Sequence, residues 1–321
     1  MTELARGAHI SEIGEHVLIE AIARRLGSAD AVLGIGDDAA VLATPDGRCA
    51  VSTDIFVQDV HFRLNWSSAH DIGRRVAAGT LADIAAMGAA PRALVVSLAL
   101  PPDTEVGWVL DLTDGIAAEC ESANASVVGG DVSSGPIVVA SATALGDLQG
   151  RDPVTRGGAK PGDVVAVAGR LGWAAAGLTV LSRGFSAPRK VISAHRAPEP
   201  PYLAGQLAAS AGATAMLDIS DGLVADLGHI AAASGVAIDI ESAQLRIDDP
   251  VRDAASAFTM DPLIWVLTGG DDHGLVATFT TESVIPRDFT VIGTVSQVDG
   301  DAVITVDGQA RPELRGFDHY A

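Results

Sequence analysis

The chain has 321 residues, enough for two domains with cores of their own; 48% are hydrophobic but only 4% aromatic, so Ala, Val, Leu and Ile must supply most of the packing. Its net charge of −20, from 21 basic and 41 acidic residues, argues against non-specific nucleic-acid binding, which needs a basic footprint. No apolar run approaches the ~18 to 20 residues that span a bilayer, and the amino-terminal MTELARGAHISEIGEH lacks the apolar core of a signal peptide, so a cytoplasmic protein without a membrane partner is expected.

In chain order, helical spacing predicts a helix over Ile10 to Leu26, with Ile13, Val17, Ile22 and Leu26 on one face. Short strands are predicted at Ala31 to Ile35, Val41 to Ala43 and Cys49 to Ser52, then a helix over Ala69 to Gly88. A strand at Ala93 to Leu100, a helix over Glu105 to Ala123, and strands at Ser126 to Val128 and Ile137 to Leu145 complete this half. The Gly-, Pro- and charge-rich stretch Asp147 to Asp163 reads as a linker or functional loop. Beyond it come a strand at Val164 to Ala168, a helix over Gly172 to Leu181, and a Pro-rich connection, Ala187 to Pro201. Helices follow at Tyr202 to Ala211 and Asp221 to Ser234, with strands at Ala237 to Ile240, Leu275 to Phe279, Val291 to Val295 and Ala302 to Val306. Strands and helices mix without strict βαβ alternation. The expected class is therefore α+β, two α/β sandwich domains rather than a doubly wound sheet, divided as residues 1–150 and 151–321. The two cysteines, Cys49 and Cys120, form no metal motif and read as small buried hydrophobes.

Six aspartate-bearing turns carry the chemistry: GIGDDAAVL, VSTDIF, TLADIAAMG, VVGGDV, LDISDGLVADLG and LTGGDDHG. Each aspartate lies beside a small-residue or apolar run, often with glycines that let backbone approach a ligand. Carboxylates gathered this way suit hard cations such as Mg2+, which take oxygen ligands and bridge to phosphates. Any single one also reads as a turn aspartate or helix cap. No G-x-x-x-x-G-K-[ST] loop, complete dinucleotide fingerprint, protein-kinase motif set or G-x-S-x-G elbow occurs.

GIGDDAAVL, STDIFVQDVHF, LADIAAMGAAPRALVVSLALP, GGDVSSGP, TRGGAKPGD, LDISDGLVADLGHI and LTGGDDHGL, in this order, resemble the thiamine-monophosphate kinase family. The resemblance runs from Ile10 to the closing GFDHY and places the chain in a superfamily with aminoimidazole ribotide synthetase and selenophosphate synthetase. It implies that ATP phosphorylates thiamine monophosphate to thiamine diphosphate, with several Mg2+ ions, in a homodimer paired through amino-terminal β-sheets. By the same resemblance the metal ligands are Asp37, Ser52, Thr53, Asp54, Asp83, Asp131, Asp218 and Asp221, with Asp38 adjacent. Gly130, Asp131, Arg156 and Ser220 are expected to contact ATP, and His61, Asp271, Tyr320 or Phe317 the thiamine substrate. No general base is expected. Asp271 stands where the family more usually has glutamate, and His273 and Gly274 where it has tyrosine and glutamate. The competing readings are selenophosphate synthetase, although no cysteine precedes Cys49, and a silent nucleotide-binding scaffold.

Overall fold

The computed structural model describes residues 7–13, 15–26, 32, 42–298 and 303–317. The chain divides into two compact units, Met1–Ile84 with Pro91–Gln149, and Ala85–Ala90 with Gly150–Ala321.

The first unit contains α1 (Ile10–Ile13), α2 (Glu15–Leu26), β1 (Ala50–Val57), α3 (Ala69–Ala86), β2 (Ala90–Leu100), α4 (Val106–Ser122), β3 (Ser126–Ser134) and β4 (Val139–Asp147). Its four-stranded sheet has the order β1-β4-β2-β3, with β1 antiparallel to β4 and β2 parallel to β3. α3 starts at a reciprocal cap: Ser68 Oγ accepts from the Asp71 amide at 3.1 Å, and Asp71 Oδ2 accepts from the Ser68 amide at 3.2 Å. Its apolar positions Ile72, Val76, Leu81 and Ile84 are all buried, each contributing about 1.5–3 kcal/mol for the larger side chains. α3 and α4 approach backbone to backbone. A Cβ at Gly73 would lie 2.0 Å from Leu112 O, and one at Gly115 would lie 2.1 Å from His70 O. The Arg74 guanidinium clamps the same pair through Glu119, 2.8 Å away and almost wholly buried.

The second unit contains β5 (Val164–Ala168), α5 (Trp173–Ser182), α6 (Arg189–Arg196), α7 (Tyr202–Ser210), β6 (Ala215–Ile219), α8 (Leu223–Ser234), β7 (Val236–Ile240), α9 (Asp249–Phe258), α10 (Pro262–Thr268), β8 (Gly274–Phe279), β9 (Phe289–Gln297), β10 (Val303–Val306) and β11 (Gln309–Ala310). Its seven strands run β11-β10-β7-β9-β5-β8-β6; β10 and β7 are parallel and the other described pairings are antiparallel. Val165, Val167, Leu217, Ile219, Ile238 and Val276 from the sheet form one core with Leu223, Leu227 and Ile230 of α8. The antiparallel pairings bring the end of β6 and the start of β8 side by side, with Ile219 opposite Gly274.

Both units mix helices and sheet as the α+β reading requires. Several local expectations differ. The Pro-rich connection contains α6, which starts directly after Pro188, and α9 and α10 have no counterpart in the spacing analysis. Both of the latter are short, and each begins with Pro in its first turn, where the missing amide costs no hydrogen bond. Leu42 and Ala43 form no strand, and the predicted strand Ala31 to Ile35 lies outside the described residues except for Val32, which is exposed and in no strand. Cys120 is buried, its thiol pushed up to about 12 by desolvation first and Glu119 second, but Cys49 is exposed rather than packed. Among the described residues, no helix is long and apolar enough to cross a membrane.

Candidate functional site

In the first unit, strand alternation sorts the β1 residues onto two faces. Ser52, Asp54 and Phe56 stand opposite the buried alanines Ala144, Ala142 and Ala140 of β4. Ser52 Oγ donates to Asp83 Oδ2 at 2.5 Å, so the serine and the last turn of α3 meet beside Asp54 on that face. Thr53 points the other way, its hydroxyl donating to Ala142 O at 3.1 Å and lying 2.9 Å from Thr143 Oγ1. Beyond the end of β1, the Val57 amide donates to His61 Nδ1 at 3.0 Å, and the ring sits edge-on to Phe56. Since Nδ1 accepts there, the neutral ring carries its proton on Nε2.

Asp131 is on β3, opposite Ser97 of β2. It lies at the far edge of the sheet from β1, three inter-strand spacings or roughly 14 Å away. The first unit therefore gathers Ser52, Asp54 and Asp83 but leaves Asp131 apart. Beside Asp131 is an apolar groove walled by Ile19, Ile22, Leu26, Ile116 and Val127, with Gly130 at its rim. A side chain at Gly130 would press its Cβ to 2.2 Å from Val96 O, so only glycine fits.

In the second unit two of the aspartate turns are laid on each other. Asp271 donates its amide to Ser220 O at 2.9 Å, and His273 donates its own to Ile219 O at 3.1 Å. Gly270 permits this contact, because a Cβ there would be 2.2 Å from Ser220 O. His273 Nδ1 lies 2.9 Å from Asp218 Oδ2. The carboxyl-terminal segment joins them, since the Phe317 amide donates to Asp221 O at 2.9 Å. Asp218, Ser220, Asp221, Asp271 and Phe317 thus come together from three separate stretches of sequence.

Arg156 is placed elsewhere. Its carbonyl accepts from Ser234 Oγ, at the opposite end of the 12-residue α8 from Gly222, about 18 Å along the helix axis. Asp37, Asp38 and Tyr320 lie outside the described residues.

Four residues to which the sequence reading assigned no role complete this arrangement. Asp226 Oδ2 accepts from the amides of Asp221 at 3.0 Å and Gly222 at 2.9 Å, closing the turn that precedes α8. Burial pushes its carboxyl up to about 7, with further upward pressure from Asp218 and Asp221 against the opposing pull of the two amides. His229 places a ring nitrogen within 4.8 Å of carboxylate oxygens of Asp221 and Asp226. Asp272 is buried and caps α5 from a distance, its two oxygens accepting from the amides of Trp173 at 3.0 Å and Ala174 at 2.8 Å. The fourth is His273. The available sequence signal was the i, i+4 spacing of Gly222 and Asp226 and the doubled aspartate at 271–272. Mutually repelling carboxylates and hydroxyl oxygens form a donor set suited to hard divalent cations.

Residues 36–148 match the family model "AIR synthase related protein, N-terminal domain", and residues 160–306 match its C-terminal counterpart. A thiamine-monophosphate kinase of Mycobacterium tuberculosis (strain ATCC 25618 / H37Rv) is 46% identical over 313 residues, covering 97% of this chain and 93% of the relative. The chain belongs to the thiamine-monophosphate kinase family. The kinase of Corynebacterium glutamicum is 39% identical, with 95% and 92% coverage. Among solved structures, the thiamine-monophosphate kinase of Stenotrophomonas maltophilia K279a superposes with a TM-score of 0.80 at 33% identity, covering 93% of this chain and 98% of its own. AaThiL, solved with AMPPCP and TMP, gives 0.78 at 30% identity with 99% of each chain covered. The kinase family thus accounts for both units together.

Proposed function

We propose that the protein transfers the γ-phosphoryl group of ATP to thiamine monophosphate, giving thiamine diphosphate. The full-length identity to thiamine-monophosphate kinases carries this reading, and the solved complex of a relative with AMPPCP and TMP supports both co-substrates. A phosphate monoester has a second pKa of about 6, so the attacking oxygen is already ionised at neutral pH and needs no general base. The obstacle is charge: two unit charges 4 Å apart repel by about 4 kcal/mol at an effective dielectric of 20. Bound Mg2+ would neutralise and align the phosphates.

Ser52, Thr53, Asp54, Asp83 and Asp131 of the first unit, Asp218 and Asp221 of the second, and Asp37 are the proposed Mg2+ ligands. Gly130 offers a close backbone approach for ATP beside Asp131, and the apolar groove next to it suits the adenine ring. Ser220 is assigned to the triphosphate; Arg156, held at the far end of α8, is assigned to ATP at a point away from Ser220. His61, Asp271 and one of Phe317 or Tyr320 are assigned to the thiamine substrate, an aromatic face being attractive to the thiazolium cation.

A cytoplasmic homodimer belongs to the same proposal. Asp131 is too far from Thr53 and Asp54 to share a cation within one four-stranded sheet. The edge strand β1 also leaves Val51 62% and Ile55 57% exposed. Both observations support completion of the site by a second copy.

The test is thiamine diphosphate formation by purified protein with ATP, Mg2+ and thiamine monophosphate, with a no-metal control and free thiamine in parallel. Metal-dependent product from the monophosphate alone is expected. ATP binding without product would reject this substrate and direct attention to the loop around Asp271.

A further inference from the structure

Asp218 emerges from β6 nearly buried, and His273 reaches it from a loop 55 residues downstream. A carboxylate can only accept, so the imidazole donates from Nδ1 to Oδ2 across 2.9 Å. The side chains are 14% and 6% exposed, which removes most of the competition from water. The main chain grips the same place: the His273 amide is bonded to Ile219 O, the residue next to Asp218. His273 has φ 51°, and Asp271, two residues earlier, has φ 65°. Non-glycine residues stay in that left-handed region only where the surroundings hold them, at a cost of order 1–3 kcal/mol.

Tying the loop to β6 would need only the two backbone bonds from Asp271 and His273, and glycine would take this backbone shape without strain. The ring adds a directed hydrogen bond to one oxygen of a carboxylate proposed as a cation ligand. We propose that His273 is a positioning residue: it holds Asp218 Oδ2 and so presents the other carboxylate oxygen to a divalent cation. This rests on the assignment of Asp218 to the metal site. A hydrogen-bond partner of a ligating group sets its orientation, and removing such a partner typically lowers metal affinity 10- to 100-fold.

The experiment compares wild type, His273→Gly and His273→Asn. Glycine removes the ring but suits the backbone, so folding is not threatened by strain. Asparagine tolerates the left-handed region, and its amide N–H can stand near the place of Nδ1–H. Mn2+ binding is followed by electron paramagnetic resonance in the presence of a non-hydrolysable ATP analogue, with melting temperature as a control. Mg2+ dependence of turnover is measured separately. His273→Gly is expected to weaken Mn2+ binding about 10- to 100-fold, raise the Mg2+ needed for half-maximal rate in parallel, and leave KM for thiamine monophosphate near wild type. His273→Asn is expected to recover most of the loss. Wild-type Mn2+ affinity in His273→Gly, or no recovery in His273→Asn, would overturn the assignment and leave the ring a packing element. Absence of thiamine diphosphate formation in wild type would reject the proposed reaction, while the Mn2+ titration would still decide the role of His273.

Discussion

At the scale of single residues, Asp54 shares a face of β1 with Ser52, whose hydroxyl is bonded to Asp83. Replacing it with the neutral isostere asparagine removes charge without removing volume. Asp54→Asn is expected to lower kcat by more than about a hundredfold, equivalent to roughly 3 kcal/mol of transition-state stabilisation, with an unchanged melting temperature. Near-wild-type turnover in a product-formation assay would take Asp54 out of the metal site. Asp272 makes a different prediction. Its folded carboxyl is pushed up to about 7, chiefly by burial, from an ordinary 3.8. Between those values the folded state binds the proton more tightly, so this contribution is full below about pH 4 and disappears as pH rises through 7. The change is on the order of 4 kcal/mol. Asp272→Asn should flatten the fall in melting temperature between pH 4.5 and 8. It should also lower stability overall, because only one of the two helix amides keeps an oxygen acceptor. An unchanged pH slope would show that Asp272 stays ionised throughout. The charged motif residues were legible because carboxylates beside glycines stand out in a sequence. The roles of Asp226 and His273 were not, because their partners are fixed by a turn and by a strand pairing rather than by spacing alone.

At the scale of elements, the long helices could be read from their periodicity, α3 and α4 to within two residues at either end. Of the short ones, α5 and α7 were read and three others were not. α6, α9 and α10 have 8, 10 and 7 residues, and each begins beside a proline that reads as a loop signal: α6 just after Pro188, α9 with Pro250 as its second residue, and α10 at Pro262. Nor does periodicity reveal how closely two helices pack. Gly73 and Gly115 meet the backbone of the opposing helix, and an added methyl has no flexible side chain to displace. Gly115→Ala should therefore force α3 and α4 apart and destabilise the fold by about 1–3 kcal/mol, outweighing the helix-propensity gain of alanine, about 1 kcal/mol. Denaturant unfolding measures the sign; a stabilised variant would mean that the helices can separate at little cost.

At the scale of the whole molecule, the sheet order puts β1 and β3 at opposite edges. Two carboxylate stretches proposed as cation ligands are thus apart within one sheet. If a second copy brings them together, Ile55→Lys on the exposed face of β1 should yield monomers in sedimentation experiments and lower activity at least tenfold, by placing a charge in a buried interface. Monomers with full activity would show that one chain suffices. A dimer insensitive to this change would place the interface elsewhere.

The sequence by itself determined the α+β class, the family, the candidate carboxylates and the absence of familiar nucleotide loops. These depend on composition and on residue order along the chain, which are local quantities. Tertiary structure alone decided that Asp218, Asp221, Asp271 and Phe317 share a neighbourhood, that Arg156 sits at the other end of α8, and that Asp226, Asp272 and His273 brace the turns. Those contacts join residues as many as 99 positions apart. They arise from strand order and register, which the burial of apolar faces sets, and which no short stretch of sequence encodes.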